Sequence, residues 1–217
     1  MNGCILCAGV IPSCGKEGEN VDSTISALLS RIDALKGRPA IVAIDGGAAG
    51  GKTALAAGLA RRFGADVLHM DDFFLQPHQR TAQRLGEPGG NVDYERFARE
   101  VLLPLRRGER YVYRRYDCRT QTLGAGEMRT PAPLTIVEGS YSLHPALASQ
   151  YDLRVLLEVD AATQSARILK RNGADKHRRF MQEWIPLENR YFEATDIRSR
   201  CDVRLSAQAL EEWREDA

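Results

Sequence analysis

The chain has 217 residues, 43% of them hydrophobic, with 30 basic and 29 acidic side chains for a net charge of +1. That is one ordinary domain with enough apolar material for a substantial core, and its near-neutral balance gives no electrostatic reason to expect a nucleic-acid or membrane surface as partner. No run of 18 apolar residues occurs and the N-terminus has no signal-peptide pattern, so no transmembrane helix and a cytoplasmic location are expected.

Residues 1–20 show no period and read as an N-terminal extension to a single domain over 21–217. They hold Cys4, Cys7 and Cys14, read as free thiols rather than a metal site because a second paired half is missing. Ser13-Cys14-Gly15-Lys16 echoes a phosphate loop but lacks the strand before it and the hydroxyl residue after it. From Val21 to Leu35 apolar residues fall at helical spacing, and Gly37 with Pro39 ends that helix. Ile41, Val42 and Ile44 then form a short apolar run fit for a buried strand.

Gly46-Gly47-Ala48-Ala49-Gly50-Gly51-Lys52-Thr53 follows directly and matches G-x-x-x-x-G-K-[ST]. The glycines let successive backbone N–H groups turn toward one anion. Lys52 supplies a point charge for the outer phosphates, and the Thr53 hydroxyl is a ligand for Mg²⁺. The Ala- and Leu-rich stretch to Phe63 reads as a helix whose N-terminus adds positive potential at the same place. This pattern implies a nucleoside triphosphate with Mg²⁺ and does not say what is done with it.

Residues 65–70 read as a second strand ending in Asp71-Asp72. Ligands of parallel sheets bind beyond the carboxyl ends of strands, so an acid there can take a proton from a substrate hydroxyl or hold a metal-bound water. Residues 76–91 are polar and turn-rich and read as a long loop; a helix from about Asp93 to Arg107 follows, with Asp93 placed to cap it and Pro104 to kink it or end it early. Residues 111–116 alternate like a strand and, with a turn near Gly124 and Gly126, suggest a β hairpin standing off the main sheet. Residues 133–139 form another buried strand ending in Glu138, in position for a direct or indirect role at Mg²⁺. His144 opens a short helical turn, as a cap rather than a catalyst. A strand over 153–159, a helix capped by Asp160 and stopped by Asn172-Gly173, a further helix to about Phe192, a strand at 201–205 and a terminal helix at 207–213 complete the chain. The basic cluster Arg167, Lys170, Arg171, Lys176, Arg178 and Arg179 flanks the Gly173 turn and reads as a lid, about 171–179, that brings cations to a transferring phosphate.

The stretches GGAAGGKT (46–53), MDDFFL (70–75), NVDYERF (91–97), YRRYD (113–117), IVEGSYSL (136–143), YDLRVLLEVD (151–160) and RILKRNG (167–173) together resemble the uridine kinase and phosphoribulokinase-like family of P-loop kinases. The resemblance implies an α/β fold: a doubly wound parallel five-stranded sheet with flanking helices, a small β hairpin and a short helical lid. It implies transfer of the ATP γ-phosphoryl group to a hydroxyl of a small molecule, a nucleoside such as uridine first. Nicotinamide riboside, pantothenate, a sugar or glycerate are the other acceptors. Asp71 matches the family's general base, Asp93 the acid that binds acceptor hydroxyls, Glu138 the acid near the metal, Arg167 and Arg171 the lid arginines, and Tyr116 an aromatic beside the acceptor. Gln121 stands where nucleoside-kinase members place a histidine. A nucleotide-binding regulatory ATPase is the rival reading, and a homo-oligomer is left open.

Overall fold

The computed structural model describes residues 21–215; Cys4, Cys7, Cys14 and the Ser13–Lys16 echo lie outside the described residues. The chain runs α1 (Val21–Asp33), β1 (Ala40–Gly46), α2 (Lys52–Phe63) and β2 (Asp66–His69). A tight turn at Met70–Phe73 leads to α3 (Ala82–Gly86), α4 (Tyr94–Phe97) and α5 (Leu103–Arg106). Four short strands, β3 (Tyr111–Tyr113), β4 (Tyr116–Asp117), β5 (Thr122–Leu123) and β6 (Glu127–Arg129), precede β7 (Leu134–Glu138). Then come α6 (Pro145–Ala148), β8 (Leu153–Glu158), α7 (Ala161–Arg179), α8 (Ile185–Thr195), α9 (Ile197–Arg200), β9 (Val203–Ser206) and α10 (Ala207–Glu215).

The main sheet has the order β2-β7-β1-β8-β9, and every pairing in it is parallel. Side chains alternate across each strand, so β1 sends Ile41 and Ala43 to one face and Val42 and Ile44 to the other. The face carrying Val42 is covered by α1, α2 and α10 through Ile25, Leu28, Leu55, Leu59 and Leu210. The opposite face packs Phe73, Phe97, Val101, Tyr111, Leu147 and Tyr191. Coverage on both faces explains why these strands read as continuous apolar runs. The expected five-stranded parallel sheet is therefore present. The hairpin is β3 with β6 and, beyond a bend, β4 with β5.

Three local readings are refined. The 76–91 loop contains a turn at Pro77–Gln79 and α3. The helix after Asp93 does not simply kink at Pro104: it widens to a π turn over Ala98–Leu102 just before it. Pro104 has no N–H for the carbonyl four residues back and its ring crowds that carbonyl, so a wider turn relieves the clash. The same happens over Phe180–Trp184 ahead of Pro186. In α7 the break falls at Gly173, whose φ of 78° lies where a side chain is disfavoured.

His144 caps α6 by accepting the Ala146 N–H at 3.3 Å and stacks on Tyr94 with ring centroids 3.9 Å apart. Burial, with Arg84 nearby, lowers its imidazole from 6.5 to about 4. The unfolded chain therefore takes up this proton first, and stability is lost as pH falls from the unfolded value toward the folded one. Wild type should lose about 2 kcal/mol more than His144→Gln between neutral pH and about pH 4 in denaturant titrations. Parallel pH profiles for the two would contradict this.

Candidate active site

The phosphate loop joins the end of β1 to the start of α2. A Cβ on Gly46 would lie 2.2 Å from the Leu157 carbonyl oxygen, so only glycine fits beside β8 there. Gly51 leads into α2 with φ 106°, and Ala49 takes the left-handed region with φ 57°. Beneath the loop, the fully buried Asp45 accepts hydrogen bonds from the N–H groups of Gly46, Tyr141 and Leu143 and from the Tyr191 hydroxyl. The loop is thereby tied to the segment after β7 and to α8. Lys52 folds back on the loop, donating to the carbonyls of Gly46 at 2.7 Å and Gly47 at 2.9 Å.

The loop opens on a cleft of about 1230 Å³ lined by Ala48, Ala49, Gly51, Lys52, Thr53, Asp71, Glu138, Arg167 and Arg171, among others. Gly46, Gly47 and Gly50 supply the turn rather than the wall. Thr53, the second residue of α2, donates its hydroxyl to Glu138 Oε1 at 3.2 Å. The same oxygen lies 2.6 Å from His69 Nδ1. His69 and Glu138 are register partners on the paired strands β2 and β7, so their side chains emerge side by side. The hydrogen bond to Glu138 raises the His69 imidazole above its ordinary value.

Asp71 and Asp72 have different environments. Asp72 accepts the Tyr113 hydroxyl at 2.6 Å and lies 3.5 Å from Arg115 Nε. Asp71 has no hydrogen-bond or ion-pair partner among the described residues and is exposed in the cleft. Protein crowding around it, with Glu138 and Asp72 nearby, raises its carboxyl above the usual range despite the opposing pull of Lys52.

Asp93 and Tyr116 stand apart from the cleft wall. Asp93 is 3% exposed and caps α4 by accepting the Arg96 N–H at 3.0 Å, while its other oxygen accepts Gln79 Nε2 at 2.9 Å. Its observed role is the cap that its position suggested. Tyr116 is buried, and its hydroxyl accepts Arg80 Nη2 at 2.9 Å; it is Arg80 that reaches the wall. Gln121 also lines the cleft. Of the basic cluster, Arg167, Arg171, Lys176 and Arg179 line it and Lys170 and Arg178 do not. Arg167 donates to the Ala49 carbonyl at 3.2 Å and pairs with Glu211.

Sequence reasoning missed His69, Ser140, Arg80 and Glu188. A lone histidine at a strand end carries no signal until β2 is known to pair with β7, and Glu188 meets the loop from 140 residues away.

The Thr53 hydroxyl and Glu138 carboxylate, side by side at the start of α2, suit a hard cation that completes its shell with phosphate and water oxygens. Among the described residues no group of three or more His, Cys, Asp or Glu is arranged to hold a metal by protein ligands alone. No helix among them is long and apolar enough to cross a membrane.

No family model matches the chain. Among solved structures it is similar to a possible uridine kinase from Bacillus stearothermophilus, with a TM-score of 0.63 and 21% identity over 85% of this chain and 98% of that one. It is also similar to a protein assigned as a fructose transport system kinase from Silicibacter sp. TM1040, with a TM-score of 0.58 and 23% identity over 87% of this chain and 99% of that one. The shared property is the fold, a parallel sheet with flanking helices.

Proposed function

We propose that the chain is an ATP-dependent kinase that transfers the γ-phosphoryl group to a hydroxyl of a small molecule. The observation that carries this reading is the contrast within the acidic pair. Asp72 is tied into the fold, while Asp71 stands unpartnered in the same cleft as the phosphate loop. An acid kept free of structural bonds, with a raised pKa, has the properties of a general base.

In this reading the N–H groups of the loop and the start of α2 receive the phosphates, and Lys52 exchanges the carbonyls of Gly46 and Gly47 for phosphate oxygens. Thr53 and Glu138 would hold Mg²⁺, which neutralises phosphate charge when bound. Asp71 accepts the proton of the acceptor hydroxyl as its oxygen bonds to the γ-phosphorus and the bond to the β-phosphate breaks. Arg167 and Arg171, with Lys176 and Arg179 from beyond the Gly173 break, bring positive charge to the transferred group as a lid. Little covalent chemistry is asked of the protein, so placement and charge carry the catalysis.

A nucleoside is the first candidate acceptor, by the resemblance of the motifs around Asp71, Asp93 and Tyr116 to uridine kinases. Asp93 would meet acceptor hydroxyls only once Gln79 has left it, and Tyr116 would act through Arg80. The test is ATP consumption with Mg²⁺ against uridine, cytidine, purine nucleosides, nicotinamide riboside, pantothenate, ribose and glycerate. Stimulation by one compound names the acceptor. ATP hydrolysis that no compound stimulates and that survives in Asp71→Asn would favour a regulatory ATPase.

A further inference from the structure

One buried acid that the mechanism above does not use meets the phosphate loop from its flank. Glu188, in the first turns of α8, is 5% exposed. Its Oε2 accepts the Ala48 N–H at 2.9 Å and its Oε1 accepts the Ser140 hydroxyl at 2.8 Å. The Ala48 carbonyl is held in turn by Gln164 Nε2 at 3.0 Å, and the next carbonyl, of Ala49, by Arg167 at 3.2 Å. The pinned segment is the strained one: Ala49 has φ 57°, a region an alanine does not choose by itself. A Cβ on Gly47 would come within 2.8 Å of Gln164 Nε2 and 3.6 Å of Glu188 Oε2, so the absence of a side chain leaves room for both contacts.

Gln164 and Arg167 lie on α7 before its break at Gly173, and Glu188 lies on α8 after the wide turn at Phe180–Trp184. The two roots of the basic segment between them therefore hold the same stretch of loop, one by its carbonyls and the other by its N–H. The Glu188 carboxylate sits beside Gly47 with Gln164, on the flank of the loop. Lys52 bonds the carbonyls of Gly46 and Gly47 and the Ser140 hydroxyl instead of forming an ion pair with it.

The geometry points to Glu188 as a positioning residue that holds the phosphate loop in its phosphate-receiving form from the root of the lid. The inference rests on the nucleotide-binding part of the reading above and not on the identity of the acceptor. Burial raises its carboxyl above the ordinary value. Both protonation states leave an oxygen for the Ala48 N–H, so the contact and not the charge does the positioning.

The test is calorimetric binding of ADP with Mg²⁺ to the full chain, with thermal unfolding run alongside. Glu188→Ala should weaken ADP about tenfold, the size expected for one lost hydrogen bond to a carboxylate plus a relaxed loop. Glu188→Gln keeps an amide oxygen for Ala48 and should bind within about threefold of wild type, whereas Glu188→Met, of similar length but with no oxygen, should bind as weakly as alanine, which loss of packing alone would not give. Should the alanine variant not fold, Glu188→Asp, shorter by one methylene, carries the same expected loss. Full ADP affinity in Glu188→Ala, or in its Asp substitute, overturns the inference. So does a Glu188→Gln as weak as alanine, or one that binds more tightly than wild type, which would mark the carboxylate as a competitor of the phosphates. A wild-type chain that binds no ADP overturns the nucleotide reading as well. Failure of every acceptor, with ADP binding intact, leaves the inference standing.

Discussion

Lys52→Ala should lower acceptor-stimulated turnover by about 10²–10³-fold, the usual effect of removing one preorganised charge from a transferring group. Lys52 is buried at 9% exposure beside the loop carbonyls, where its charge is poorly screened by water. It already sits at the phosphate loop, so it needs a short reorientation rather than recruitment. The variant should also bind ADP more weakly, because the ammonium meets phosphates in the ground state as well as during transfer. Lys52→Met keeps most of the aliphatic stem and separates loss of charge from loss of packing. Steady-state kinetics on both variants is the measurement, and near-normal turnover in either would remove the phosphate-loop assignment.

Asp71→Asn should lower turnover by about 10²–10⁴-fold, the range for a lost general base, while ADP binding stays within a few fold. That separates it from Lys52, whose loss affects both. Asp71 has no structural partner among the described residues, and the protein atoms and acids crowding its place in the cleft disfavour its charge. Its neutral isostere should therefore unfold at the same temperature as wild type or slightly higher, a gain in stability with a loss of function. The pH dependence has a definite sign. The base works ionised and its carboxyl is raised, so kcat/KM should climb with pH through that raised value and then level off. The acid limb should be absent from the residual activity of Asp71→Asn. A variant that retains full stimulated turnover would move the base elsewhere in the cleft.

Much of the fold was legible because its signals are local. Buried parallel strands appear as apolar runs at residues 41–44, 134–137 and 153–157, and Gly64, Asp160 and Gly173 mark helix ends by chemistry that needs no neighbours. The wide turns at 98–102 and 180–184 were not foreseen as such. A proline announces that a helix must be disturbed but not whether it kinks, stops or widens, and the packing around it decides that.

The candidate site divides along the same line. The sequence by itself determined the phosphate loop, the acids at the ends of β2 and β7 and the basic run around Gly173, because each is a contiguous pattern whose chemistry follows from residue type and order. Only the tertiary structure decided which acids are free. Asp71 and Asp72 are adjacent, yet one faces the cleft and the other holds Tyr113; Asp93 is enclosed by the Arg96 N–H and Gln79. Only the tertiary structure could supply His69 and Glu188, whose partners come from other strands and helices. A motif encodes what a residue can do. Whether its lone pairs are left available depends on distant groups that folding brings to it, and those groups have no fixed spacing in the chain.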